Sequence, residues 1–125
     1  MSTNQELTLH HRVILYVRSV YDYCLDLQTD VLYRYANEQG LIVVDLVEDR
    51  WGGGMAPRIL KELLRRKKKE DDFDLLLVTE ITRITDHGTR HAMEACRQIR
   101  DAGIMVRFAC KGPAVVGRPQ FDRVK

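Results

Sequence analysis

The chain has 125 residues, enough for one domain with a single sizeable core, and is 45% hydrophobic and 30% charged, the composition of an ordinary globular protein. It has no apolar run near the roughly 20 residues of a membrane helix, and its polar first residues lack an export signal, so a cytoplasmic protein away from the membrane is expected. A net charge of +2 neither demands nor excludes a nucleic-acid partner, and three widely spaced cysteines, Cys24, Cys96 and Cys110, fit a reducing compartment rather than a disulfide framework or a zinc site.

After a polar leader over residues 1–11, Val13-Ile-Leu-Tyr-Val-Arg-Ser19 reads as a buried strand, because valine, isoleucine and tyrosine fit a pleated surface. It delivers Arg18 and Ser19 to its carboxyl end. Tyr21 to Gln39 follows as a helix with Cys24, Leu27, Val31, Leu32, Tyr35 and Ala36 as its apolar stripe, and Gly40 is placed to end it. Leu41 to Val47 is a second strand. Glu48 to Pro57 is irregular, with three consecutive glycines, and Pro57 suits the first turn of a helix over residues 57–69. That helix would bury Ile59, Leu60, Leu63 and Leu64 and end in Arg65-Arg-Lys-Lys-Lys69, where cations complement the helix dipole.

Phe73 to Val78 is nearly all apolar, as in a strand covered on both faces. A polar connection, Thr79 to His87, carries two isoleucine anchors. Gly88 to Ala102 is a third helix, with Ala92, Ala95, Cys96, Ile99 and Ala102 inward and Gly103 as its stop. Ile104 to Cys110 is a fourth strand. Strict alternation with short connections predicts right-handed crossovers and a three-layer α/β/α domain over residues 12–111, with a mostly parallel central sheet and a linker or tail over residues 112–125. In such sheets ligands bind beyond the carboxyl ends of the strands, which is where Arg18 and Ser19 would stand.

Three separated segments resemble the catalytic domain of the serine recombinases, the resolvase and invertase type. Tyr16-Val-Arg18-Ser19 with Gln28 and Leu32 is similar to the family's Tyr-x-Arg-x-Ser strand end and Gln-x-x-x-Leu helix. Asp49, Gly52, Gly53 and Arg58 are similar to its Asp-x-x-Ser-Gly-x-x-x-x-Arg loop and helix start. Thr82-Arg83-Ile84-Thr-Asp86 is similar to its Asp-Arg-Leu-x-Arg. The resemblance spans about residues 13–110. It implies a resolvase-like fold and DNA cleavage by a serine hydroxyl, through a transient 5′-phosphoserine link, with strand exchange and resealing that need no metal or other cofactor. Ser19 would be the nucleophile, Arg18, Arg58 and Arg83 would hold the scissile phosphate, and Gln28 and Asp49 would support them. Fixed guanidinium groups suit this work because they pair with phosphate oxygens bidentately.

The chain departs from the family pattern at several positions. Arg18 and Ser19 are adjacent where the family has one residue between. Either Val20 takes the nucleophile's place and the site is dead, or one residue is lost and Ser19 is the nucleophile. The spacing from Ser19 to Gln28 supports the second alignment, and the two-residue period of a strand supports the first. Gly52 stands for the loop serine, Thr82 for an acidic residue, and Asp86 for an arginine, which reverses a charge. The alternative function is therefore a degenerate domain kept for protein or weak DNA association. The implied partners are DNA, bound weakly without a separate DNA-binding module, and further copies of the chain in a homo-oligomer.

Other candidates read as surface. His87 and His91 have helical i, i+4 spacing but no third metal ligand, and His10-His11 belong to the leader. Arg65 to Lys69 could touch a phosphate backbone, but Glu70-Asp71-Asp72 follow at once and cancel much of their field. Trp51 is an exposed anchor or is tucked under its own loop.

Overall fold

The structure, a computed structural model, describes residues 11–50, 54–84 and 89–110. Strand β1 spans Arg12–Arg18, helix α1 Asp22–Gln39, strand β2 Ile42–Asp49 and helix α2 Pro57–Lys69. Strand β3 spans Leu75–Val78, a single 3₁₀ turn Ile81–Arg83, helix α3 Thr89–Asp101 and strand β4 Met105–Phe108. The sheet has the order β2-β1-β3-β4, and every pairing is parallel.

The apolar residues of β1 serve two cores. Val13, Leu15 and Val17 face Leu25, Leu32 and Ala36 of α1, while Ile14 and Tyr16 join Leu63 of α2 and Ile99 of α3 on the other face. All five β1 side chains are fully buried. At roughly 1.5–3 kcal/mol for burying one large apolar side chain, this strand anchors the molecule. The three-layer expectation is met: α1 covers one face, α2 and α3 the other. The chain starts in the middle of the sheet, moves out to β2, then reverses past β1 to β3. The reversal puts the switch point of a doubly wound sheet at the carboxyl ends of β1 and β3, where such sheets bind ligands.

The stripe on α1 differs from its sequence reading. Leu25, Gln28, Leu32 and Ala36 are its buried residues, and Leu27 is 62% exposed. Spacings of three, four and four keep the first set on one side, and Leu27 lies two residues from Leu25, almost opposite. Gly40 ends α1 in the left-handed region at φ 70°, as expected. Ala102 is exposed rather than buried, because α3 ends at Asp101 and the chain turns at Gly103. β2 runs two residues further than read, so Asp49 closes a strand instead of opening a loop. The bases after Leu64 are largely spent on nearby acids: Arg65 pairs with Glu62, Arg66 with Asp45 and Asp72, and Lys67 with Asp71. The leader to His10, Trp51, Gly52, Gly53, Asp86, His87 and the tail lie outside the described residues, as does the side chain of Ala92.

Candidate active site at the carboxyl ends of the strands

By strand alternation Ile14, Tyr16 and Arg18 share the face toward α2 and α3, and Arg18 is the last of the three, only 7% exposed. Its Nε donates to the Arg83 carbonyl oxygen and its Nη2 to that of Thr82, each at 2.8 Å. The first predicted arginine thus grips the main chain that carries another. Gln28 reaches up from α1 to the Arg18 backbone. Its Oε1 accepts the Arg18 N–H at 3.0 Å, and its Nε2 donates to the Arg18 carbonyl at 2.9 Å. One amide satisfies both groups, as a neighbouring strand would.

Asp49 lies at the carboxyl end of β2, paired in register with Arg18, and is 2% exposed. Its Oδ2 accepts the Tyr16 hydroxyl at 2.7 Å and the Ala56 N–H at 2.8 Å. Burial, and after it the bond to Asp49, pushes the Tyr16 phenol well above its usual range, so Tyr16 stays a donor. The bond to Ala56 fixes the entry to α2, and a carboxylate there also suits the positive end of the helix dipole. Next to it, the Met55 N–H donates to the Ile84 carbonyl. The start of α2 is therefore tied to both β2 and the turn after β3. Arg58 stands exposed in the first turn of α2.

Ser19 leaves β1 half-buried. Its N–H donates to the Asp49 carbonyl at 3.1 Å, and its Oγ accepts the Tyr21 N–H at 3.1 Å, which shapes the entry to α1. Val20 is 54% exposed. Arg83 is held loosely by comparison with Arg18. Its Nη1 approaches the Arg18 carbonyl at 3.4 Å, its Nη2 lies 3.7 Å from Glu80, and its Nε is buried without a hydrogen-bond partner.

The fold joins the segments of Ser19, Arg18, Gln28, Asp49 and Arg83 by direct hydrogen bonds. Arg58 lies two residues beyond Ala56, on the helix whose start the backbone bonds at Met55 and Ala56 tether, with its own side chain exposed. Two contributors were not assigned roles from sequence. Tyr16 carried a signal, a hydroxyl inside an apolar strand, which when buried must find a partner. Glu80 carried none, since an acid at the start of a polar connection is ordinary. Among the described residues, no group of three or more His, Cys, Asp or Glu side chains could hold a metal ion, and no helix is long and apolar enough to cross a membrane. The three cysteines are free thiols.

The fold and site define a parallel doubly wound domain in which Arg18 and the turn of Arg83 are joined at the switch point. The chain belongs to the resolvase N-terminal domain family, the catalytic domain of serine recombinases, whose family model matches residues 13–124. The family implies a DNA substrate. No curated protein matches the sequence. Among solved structures, the fold is similar to the C-terminal catalytic domain of ISC1926 TnpA, an IS607-like serine recombinase, with TM-score 0.66 and 20% identity over 82% of this chain and 72% of that one. It is also similar to the N-terminal catalytic domain of TP901-1 integrase, with TM-score 0.65 and 21% identity over 78% and 76%. The C-terminal catalytic domain of IS1535 TnpA, another IS607-like serine recombinase, gives 0.62 and 21% over 82% and 74%.

Proposed function

We propose that this domain cuts and rejoins DNA with Ser19 as nucleophile and Arg18, Arg58 and Arg83 around the scissile phosphate. The Ser19 oxygen bonds to phosphorus and gives up its hydroxyl proton, and the bond from phosphorus to the 3′ oxygen breaks. The departing 3′ oxygen takes up one proton through solvent, so that the net change moves a proton from the serine to the 3′ hydroxyl. Attack by a 3′ hydroxyl on the phosphoserine reverses the step and frees Ser19. Charge spreads over the phosphate oxygens in the transition state, so preset guanidinium groups and positioning supply most of the help such a displacement needs. Gln28 and Asp49 support the site through the Arg18 backbone and the start of α2. The reaction runs in the cytoplasm within a homo-oligomer, because exchange needs more than one cut strand.

The observation that carries this reading is the chain of hydrogen bonds from Ser19 through Asp49 and Ala56 to α2, and from Arg18 to the turn of Arg83. The competing reading is a degenerate domain retained for protein or weak DNA association. It draws on the two Arg18 donors already engaged with main-chain carbonyls, and on Gly52, Thr82 and Asp86 in the sequence.

A nicked suicide duplex separates the two readings. Active protein should form a covalent protein–DNA adduct, and Ser19→Ala should form none. An adduct that persists in Ser19→Ala would rule out Ser19, and no adduct from the native protein would favour the degenerate domain.

A further inference from the structure

The turn after β3 holds a cluster that the proposed chemistry leaves unused. The Glu80 carbonyl accepts the Arg83 N–H at 3.0 Å, and its carboxylate Oε2 accepts the Thr82 hydroxyl at 2.9 Å. The same Oε2 lies 3.7 Å from Arg83 Nη2, with side-chain exposures of 49% for Glu80 and 30% for Arg83. A guanidinium carries five N–H donors. Those of Arg83 make one long contact, at 3.4 Å, and one loose ion pair, and its Nε is shielded without a partner. Arg18 makes two bonds of 2.8 Å next to it. Arg83 is thus the underused cation of the pair, and Glu80 is the carboxylate beside it.

Resting on the recombinase reading of Arg83, we infer that Glu80 is the resident counter-ion of Arg83, a positioning residue that an incoming DNA phosphate displaces and that sets how tightly the phosphate is held. A half-exposed ion pair at this distance is weak and screened by solvent, so it can be displaced. A phosphate offers the guanidinium shorter, bidentate bonds in exchange. The Thr82 hydroxyl keeps the carboxylate on the turn, so Glu80 orients Arg83 without blocking it permanently. Cys110 stands close to the same pair: burial and then Glu80 push its thiol up, while Arg83 pulls it down.

The test is a double-mutant cycle read as DNA affinity, by fluorescence anisotropy of a short duplex at low salt. All proteins carry Ser19→Ala, so the result does not depend on which group is the nucleophile. Glu80→Gln should tighten binding by about two- to fivefold, the range expected for releasing one exposed ion pair. The same substitution in an Arg83→Ala background should give no gain, and Arg83→Gln serves where Arg83→Ala does not fold. No gain with Glu80→Gln, while Arg83→Ala still weakens binding, overturns the inference and leaves the recombinase reading standing. A gain that persists without Arg83 also overturns it, since the effect would then be general charge removal. If loss of Arg83 leaves affinity unchanged, the inference and the role of Arg83 at the phosphate fall together.

Discussion

Replacing Gln28 by alanine removes the acceptor of the Arg18 N–H and the donor to the Arg18 carbonyl at once. Each buried backbone group left unsatisfied costs about 1–3 kcal/mol, so Gln28→Ala, which strands two, should destabilise the domain by roughly 2–6 kcal/mol in a denaturant melt. Gln28→Glu is the sharper probe. It keeps an acceptor for the N–H but turns a carboxylate oxygen toward the carbonyl, and it should cost about as much as alanine. A glutamate variant as stable as the native protein would mean that the second bond contributes nothing. Sequence spacing picked out Gln28 through the family resemblance, but not its partner. A polar residue on a helix is ordinarily a surface residue, and only the approach of α1 to the end of β1 gives it a buried task.

At the scale of elements, ion pairs fasten the amino ends of the strands. The Arg12 guanidinium donates to both carboxylate oxygens of Asp74, linking the start of β1 to the residue before β3. That contact, first among its causes, holds the Asp74 carboxyl down at about 2, and Arg66 lowers Asp72 in the same direction. A carboxylate depressed in the folded state adds stability that is complete above its unfolded value, about 4, and is lost as the pH falls toward 2. Thermal melts of the native protein should therefore drop between pH 4 and 2, and Asp74→Asn should flatten that part of the profile. An unchanged profile would show that the pair adds nothing to folding. Arg66 makes a similar clasp, bonded to Asp45 of β2 and Asp72, with the Phe73 ring 5.9 Å beneath it. Within the basic run that ends α2, Arg66 and Lys67 thus serve the fold. The run's composition alone left a nucleic-acid contact open, because pairing between Arg66 and Asp45 requires α2 to cross over the sheet.

For the whole molecule, one strand belongs to both cores, and this predicts how the domain comes apart. Leu32 lies under α1 and Ile99 under α3, on opposite faces of the sheet, each almost fully buried. Leu32→Ala and Ile99→Ala should each cost about 2–5 kcal/mol. Because β1 packs against both layers, each should lower a single shared transition, seen at the same midpoint by circular dichroism and by hydrogen exchange. Two separated transitions would show that the layers fold independently.

Most of the architecture was legible because it rests on local chemistry. Unbroken apolar runs mark strands covered on both faces, three- and four-residue spacings mark helices, and Gly40 and Pro57 mark where helices stop and start. The strand order, and therefore the location of the switch point, was not, since nothing along the chain says that it crosses back over β1 after β2 to set β3 on the other side of β1. The stripe of α1 was partly misread, because Leu27 and Leu25 are equally apolar and only packing selects between them. The site followed the same division. Sequence supplied the residue types, an arginine and a serine at a strand end and two more arginines far along the chain. Tertiary structure decided which guanidinium is tied to the main chain, which stays loosely held, and which carboxylate stands next to it. Those distinctions depend on distances between segments some sixty-five residues apart, as from Arg18 to Arg83, and no local propensity encodes them.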